Sequence, residues 1–281
     1  MIQIKNSVFK WGSRTYIMGI LNMTQDSFSG DGFLKNTKAA VKHALQMEKD
    51  GADIIDVGGE STRPAGTIYG KGAKSITVKE ELERVLPVIS KLASVLKIPI
   101  SIDTYKAEIA ERAIKEGALL INDVWGLKKD ARIANVAAKT GAPLILTHNQ
   151  EGFVYSDIIE DVILSLKKSK EKAINAGVLP KNIIIDPGIG FAKTLEHNLK
   201  VLSCLKKIRA HLKLPLLLGT SRKSFIGEIL GGLPVHERLE GTAATVALGI
   251  AQGADMVRVH DVKEMVRVAR VSDAILRNTT A

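Results

Sequence analysis

The sequence predicts an α/β protein: a single (β/α)8 barrel, the TIM-barrel architecture, with a short N-terminal β-hairpin. Three observations predict it. Eight short apolar runs of strand character recur along 281 residues, separated by segments with helical apolar spacing. Strand followed by helix, repeated eight times, requires a parallel sheet with right-handed crossovers, and a chain of this length suits a closed barrel. A chemically active residue also stands at the C-terminal end of nearly every run, where barrel enzymes build their sites. A doubly wound open sheet is the alternative.

Residues Ile2–Trp11 read as an antiparallel hairpin ahead of the first barrel strand, Tyr16–Leu21, which ends at Asn22. A long connection, Asn22–Asn36, leads to a helix over Thr37–Asp50, with Ala40, Val41, Ala44, Leu45 and Met47 at helical spacing. The second strand, Ala52–Val57, precedes another long connection, Gly58–Ile76. A helix over Val78–Leu96 follows, patterned by Leu82, Val85, Leu86, Ile89 and Leu92. Pro99–Ile102 ends at Asp103 and leads to a helix over Tyr105–Glu116. Leu119–Ile121 ends at Asn122 and Asp123 and precedes a helix over Ala131–Thr140. Pro143–Leu146 runs into His148 and a helix over Asp157–Ala176. Asn182–Ile185 ends at Asp186, ahead of a helix over Leu195–His211. Pro215–Leu218 leads to Ser221-Arg222-Lys223-Ser224, which opens a helix, and then to a helix over Arg238–Gln252. Met256–Val259 carries Arg258, with His260 just beyond, and a helix over Lys263–Leu276 closes the pattern.

Gly51, Gly117, Gly141, Gly177 and Gly253 stand where a left-handed residue ends a helix. The two long connections exceed the usual loop length and mark lids or binding loops on the C-terminal face. No Pro/Ser-rich linker or low-complexity stretch interrupts the chain, so residues 1–281 are expected to form one domain.

Forty Lys+Arg against thirty Asp+Glu give a net charge of +10. A solvated, lysine-rich surface explains this, with attraction of anionic substrates as the sharper reading. Nucleic acid is not an expected partner: no basic run is interleaved with aromatics. The lone Cys204 cannot form an internal disulfide, pointing to a reducing compartment, and reads as a small apolar residue on a helix. No secretory pattern is visible, and Tyr16–Leu21 is too short to span a membrane; a cytoplasmic protein without a membrane partner is expected.

Asp103 and Asp186 end strands, where a carboxylate either caps the next helix or binds a ligand. Asp103 fits a cap better than Asp186 does. With Asn122 they form an acceptor set that suits a flat heterocycle bearing N–H donors, since a carboxylate takes two parallel hydrogen bonds. A cationic pair, Arg222-Lys223, at a helix start needs a reason, because basic residues favour the other end. Anion or heterocycle binding supplies one. Arg258 and His260 share a strand face by alternation and converge with Lys223, as anion-binding groups would. His148 lacks a second histidine at ligand spacing and reads as a hydrogen-bonded residue lining the mouth. Gly58-Gly59-Glu60-Ser61-Thr62-Arg63-Pro64 is neither a P-loop nor a dinucleotide fingerprint, and no nucleophile elbow is present.

Several stretches together resemble the dihydropteroate synthases. These are Gly19-Ile20-Leu21-Asn22-Met23-Thr24-Gln25-Asp26-Ser27-Phe28-Ser29, Asp56-Val57-Gly58-Gly59-Glu60-Ser61-Thr62-Arg63-Pro64, Ser101-Ile102-Asp103-Thr104 and Ile121-Asn122-Asp123. Asp186-Pro187-Gly188-Ile189-Gly190-Phe191, Ser221-Arg222-Lys223-Ser224 and Arg258-Val259-His260-Asp261 complete the set, in the family's order. The resemblance implies condensation of 6-hydroxymethyl-7,8-dihydropterin diphosphate with 4-aminobenzoate in folate biosynthesis. It implies that Asp103, Asn122, Asp186 and Lys223 hold the pterin, and that Arg258 and His260 bind the diphosphate. Asn22 would join them and hold the accompanying Mg2+. Phe28, Thr62, Arg63, Pro64 and Ser224 would shape the aminobenzoate site. Asp31, Arg63 and Lys223 would act in catalysis, Asp31 beside a developing pterin methylene cation. A homodimer through helices away from the mouth is also implied.

The chain departs from the family's pattern at Gln25, where proline is usual, at Gly30-Asp31-Gly32, which shifts the loop carboxylate by one place, and at Asn149 in place of methionine. A corrinoid-type pterin-binding methyltransferase and a non-catalytic pterin-binding paralogue are the alternatives. The Asn-x-Thr-x-Asp-Ser-Phe-Ser and Ser-Thr-Arg-Pro stretches separate this chain from the methyltransferases.

Overall fold

The computed structural model describes residues 1–24, 32–34, 36–62, 72 and 75–277. The hairpin comes first: β1 (Ile2–Ile4) pairs antiparallel with β2 (Ser7–Phe9), and Lys5 takes the turn at a φ of 55°. The barrel strands are β3 (Tyr16–Asn22), β4 (Ile54–Gly58), β5 (Ile100–Asp103), β6 (Leu120–Asp123), β7 (Leu144–Thr147), β8 (Ile183–Asp186), β9 (Leu217–Leu218) and β10 (Met256–Val259). They pair in parallel in the order β8-β7-β6-β5-β4-β3-β10-β9. A bridge between Ile185 and Leu216, with the Ile185 N–H donating to the Pro215 carbonyl at 2.9 Å, returns β9 to β8 and closes the barrel.

Around it lie α1 (Thr37–Lys49), α2 (Val78–Val95), α3 (Ala107–Lys115), α4 (Ile133–Thr140), α5 (Ile158–Asn175), α6 (Leu195–Ser203), α7 (Leu205–Leu212), α8 (Ser224–Ile229), α9 (Leu239–Ala251) and α10 (Val262–Arg277). None of the described helices is long and apolar enough to cross a membrane.

The period of two along each strand sorts its side chains into two cores. Residues such as Ile55, Val57, Ile102, Ile121 and Leu146 face outward and pack on the helices. Met18, Ile54, Leu120, Ile145, Ile184, Leu217 and Met256 face inward at the N-terminal end, where Ile2, Ile4 and Phe9 of the hairpin join them. The hairpin therefore stoppers the bottom of the barrel. The Phe9 ring lies 4.7 Å from Tyr16 and 5.7 Å from Trp11, centroid to centroid.

Helix ends follow local chemistry. Thr77 and Glu80 form a capping box on α2, and Asp157 caps α5. The five expected glycines take positive φ, from 71° at Gly141 to 111° at Gly117. Two expectations change. The predicted helix over Leu195–His211 is broken at Cys204, which leaves helical geometry between α6 and α7; the preceding Ser203 hydroxyl donates to the Lys200 carbonyl and competes with the backbone ladder. Asp103 does not cap α3. Lys106 occupies the cap position without a side-chain cap bond, and Asp103 turns into the barrel.

Candidate active site

The alternation that buries Met18 and Ile54 near the hairpin continues upward. It brings Asn22, Asp56, Ser101, Asp103, Asn122, Thr147, Asp186 and Arg258 inside the barrel toward its C-terminal mouth. A cavity of about 260 Å³ opens there, lined by Asn22, Asp103, Asn122, Asp186 and Arg258 from five strands, by Lys223 from the loop after β9 and by His260 just past β10, with Thr62 and Ser224 above.

Asp56 anchors the floor. It is fully buried, and its Oδ2 accepts from Asn122 Nδ2 at 2.9 Å and from Arg258 Nε at 2.6 Å. Arg258 Nη2 then donates to Asp103 Oδ2 at 2.7 Å, so one guanidinium ties two carboxylates. Burial acts to lower the Arg258 pKa, but Asp56 and Asp103 outweigh it and hold the group above its ordinary value. Burial pushes the Asp103 carboxyl up to about 7, against the pull of Arg258. Because Asn122 spends its N–H on Asp56, its amide oxygen faces away from that bond. That oxygen is buried without a partner, as are Asp56 Oδ1 and Ser101 Oγ. Buried acceptors without donors are costly, and a ligand carrying N–H groups would satisfy those that line the cavity.

Asp186 sits across the floor. Its Oδ1 accepts the Gly188 N–H at 2.8 Å, and Thr147 Oγ1 approaches Oδ2 at 3.4 Å. Burial raises its pKa, while Lys223 and the Gly188 N–H oppose the rise. Lys223 donates to the Ile189 carbonyl and lies 4.7 Å over the Phe191 ring. Burial lowers its ammonium to about 8, with Asp186 resisting. At the rim, Ser221 Oγ accepts the His260 backbone N–H at 3.1 Å and lies 2.9 Å from His260 Nδ1. Ser224 Oγ is buried without a partner.

The second long connection is fixed at both ends by one side chain. Lys106 Nζ bonds to Glu60 at 2.5 Å, to the Ile76 carbonyl at 2.8 Å and to Glu81 at 2.7 Å. Thr104 Oγ1 donates to the other oxygen of Glu81.

Asn22, Thr62, Asp103, Asn122, Asp186, Lys223, Ser224, Arg258 and His260 thus line one cavity. Phe28, Asp31, Arg63 and Pro64 lie outside the described residues. His148 does not line the cavity; its Nδ1 meets Lys193 Nζ at 2.9 Å behind β8. Two participants escaped the sequence reading. Asp56 carried a usable signal, since it shares inward parity with Ile54 on β4. Lys193 carried none in a chain so rich in lysine.

A floor of carboxylates and an amide beneath a cationic rim accepts N–H donors at depth and an anion above. The model of the pterin-binding enzyme family matches residues 18–260. The dihydropteroate synthase of Clostridium beijerinckii is 51% identical over 277 residues, covering 98% of this chain and 100% of that protein. The chain belongs to the dihydropteroate synthase family. It is accordingly a transferase. Two dihydropteroate synthase structures share its barrel: that of Clostridium difficile, in the presence of pteroic acid, has a TM-score of 0.88 at 50% identity over 96% of this chain and 100% of that one. That of Yersinia pestis, in a sulfonamide complex, has a TM-score of 0.90 at 36% identity over 99% of both chains.

Proposed function

We propose that this site joins 6-hydroxymethyl-7,8-dihydropterin diphosphate to 4-aminobenzoate, giving 7,8-dihydropteroate and pyrophosphate, the dihydropteroate synthase step of folate biosynthesis. The convergence of Asp103, Asn122, Asp186 and Lys223 beneath Arg258 and His260 in one cavity carries this reading. The pteroic acid of the Clostridium difficile structure, a pterin already joined to aminobenzoate, supports it.

In this reading the Asp186 carboxylate takes paired N–H bonds from the amino-pyrimidine edge. Asn122 and Asp103 accept further ring N–H groups, and Lys223 steadies the ring beside Phe191. Arg258 and His260 hold the diphosphate and stabilise the charge that grows as the carbon–oxygen bond breaks and its electron pair leaves with the diphosphate. The aminobenzoate nitrogen supplies the pair for the new carbon–nitrogen bond and then loses a proton. Its lone pair is free at neutral pH, so no strong base is required. Asp31 is proposed beside the cationic methylene, and Phe28, Thr62, Arg63, Pro64 and Ser224 around the aminobenzoate.

Mg2+ fits as an ion that accompanies the diphosphate. Among the described residues no group of three His, Cys, Asp or Glu could hold a metal. Asn22 offers an amide oxygen at the cavity wall, and Mg2+ takes few protein ligands when phosphates and water fill its shell. When bound it would neutralise part of the leaving charge.

Residues 1–281 are proposed to act as one barrel domain and as a homodimer. The exposed apolar face of α9 and α10 supports the dimer: Leu248 is 68%, Val271 62% and Ile275 73% exposed. The free Cys204 fits a reducing cytoplasm. With Mg2+, purified protein is expected to release pyrophosphate only when both substrates are present. Pterin binding without dihydropteroate would favour a non-catalytic pterin binder.

A further inference from the structure

Among the described residues, Lys193 is the one lysine side chain with no exposed surface. Burying an amine far from water is costly unless every hydrogen-bonding position is used. Here all are: Nζ lies 2.9 Å from His148 Nδ1, 2.9 Å from the Gly188 carbonyl and 3.1 Å from the Phe191 carbonyl. Among the described residues no carboxylate is hydrogen-bonded to Nζ.

The partners of Lys193 define its work. Gly188 and Phe191 belong to the loop between β8 and α6, which has little regular structure of its own, and His148 stands just past β7. Gly188, Gly190 and Ala192 take φ values of 71°, 78° and 47°. A Cβ on Gly188 would lie 1.8 Å from the His148 carbonyl oxygen, so this loop packs directly on the end of β7. The loop's polar groups are consumed by fixed neighbours. Gly188 and Phe191 carbonyls go to Lys193, the Ile189 carbonyl to Lys223, and the Gly190 N–H to Asn198 Oδ1 at 2.7 Å. The Gly188 N–H goes to the Asp186 carboxylate, and the His148 N–H reaches the Asp186 carbonyl at 2.8 Å. Both sides of Asp186 are thus set by groups that Lys193 and His148 hold in place. Phe191, the ring beneath Lys223, hangs from the same knot. Neither Lys193 nor His148 lines the cavity.

We infer that Lys193 and His148 form a positioning pair for the pterin half of the site, fixing the loop from behind so that Asp186, Phe191 and Lys223 meet the heterocycle together. Burial lowers the pKa of both groups well below the ordinary value, with Asp186 opposing the fall at Lys193.

The inference rests on the proposed synthase activity, and wild-type turnover tests that activity separately. The test compares wild type with Lys193→Met, which keeps the length of the side chain and removes its donors. The expected result is a loss of about tenfold in affinity for the dihydropterin diphosphate, as when an orienting hydrogen bond behind a site is removed. The KM for 4-aminobenzoate should stay near the wild-type value. Lys193→Gln, whose amide N–H groups reach toward the same carbonyls, should recover part of the loss. Equal losses for both substrates, or a lower melting temperature with unchanged pterin affinity, would overturn the inference. Should Lys193→Met not fold, 15N spectra of the wild-type histidines decide, with the His148 signal assigned from His148→Gln. A pterin ligand should shift the His148 ring signals while 4-aminobenzoate alone leaves them in place; no pterin-induced shift would equally overturn the inference.

Discussion

At the scale of single residues, the site balances buried carboxylates against few cations, and each carboxylate has a separate consequence. Asp186 is enclosed and held by Gly188, so Asp186→Asn keeps the shape and removes the charge. It should cost about 2 kcal/mol of pterin binding, roughly thirtyfold in affinity, measurable by calorimetry with a pterin ligand. Asp103 holds its proton up to about pH 7, whereas an exposed aspartate loses it at about pH 4. Between those values the folded chain binds the additional proton, so this contribution to stability is complete at low pH and fades as pH rises through 7. Ligand N–H donors need the ionised form. Pterin affinity should therefore climb from pH 6 to pH 8, and Asp103→Asn should flatten the climb; a flat wild-type profile would refute the assignment. Most of these residues were legible in the sequence because strand ends in a barrel share one mouth. What alternation could not supply was the order of bonding. It put Arg258 and His260 on one strand face but did not reveal that the guanidinium ties Asp56 to Asp103, because that depends on three strands distant in the chain.

At the scale of elements, the strands and most helices could be read from apolar period and glycine position. The exception, the break at Cys204, turns on one serine hydroxyl competing for a carbonyl, which leaves the apolar pattern unaltered. The anchoring of the ends of the second long connection was also hidden, since Glu60, Ile76, Glu81 and Lys106 are distant in the chain until folded together. Lys106→Met should destabilise the protein by about 3 kcal/mol in urea denaturation, because it strands the buried Glu81 carboxylate. Adding Glu81→Gln should return part of that loss. A Lys106→Met protein as stable as wild type would mean that the three bonds contribute nothing net.

At the scale of the whole molecule, the exposed apolar stripe on α9 and α10 is the surface least explained by a lone barrel. Ile275→Glu, at a side chain already 73% exposed, should leave the fold intact and shift the sedimentation expected of the proposed homodimer to that of a monomer. The hairpin at the other end has a different effect. With Ile2, Ile4 and Phe9 seated among the inward side chains, the barrel is a blind tube. Traffic through a tube with one opening runs in single file. Whatever rests on Asp186 must arrive before anything settles above it, and the joined product must withdraw through the space that its last-arriving half came in by. Sequence of arrival is thus imposed by the packed interior beneath Asp186, which leaves the C-terminal mouth as the way in.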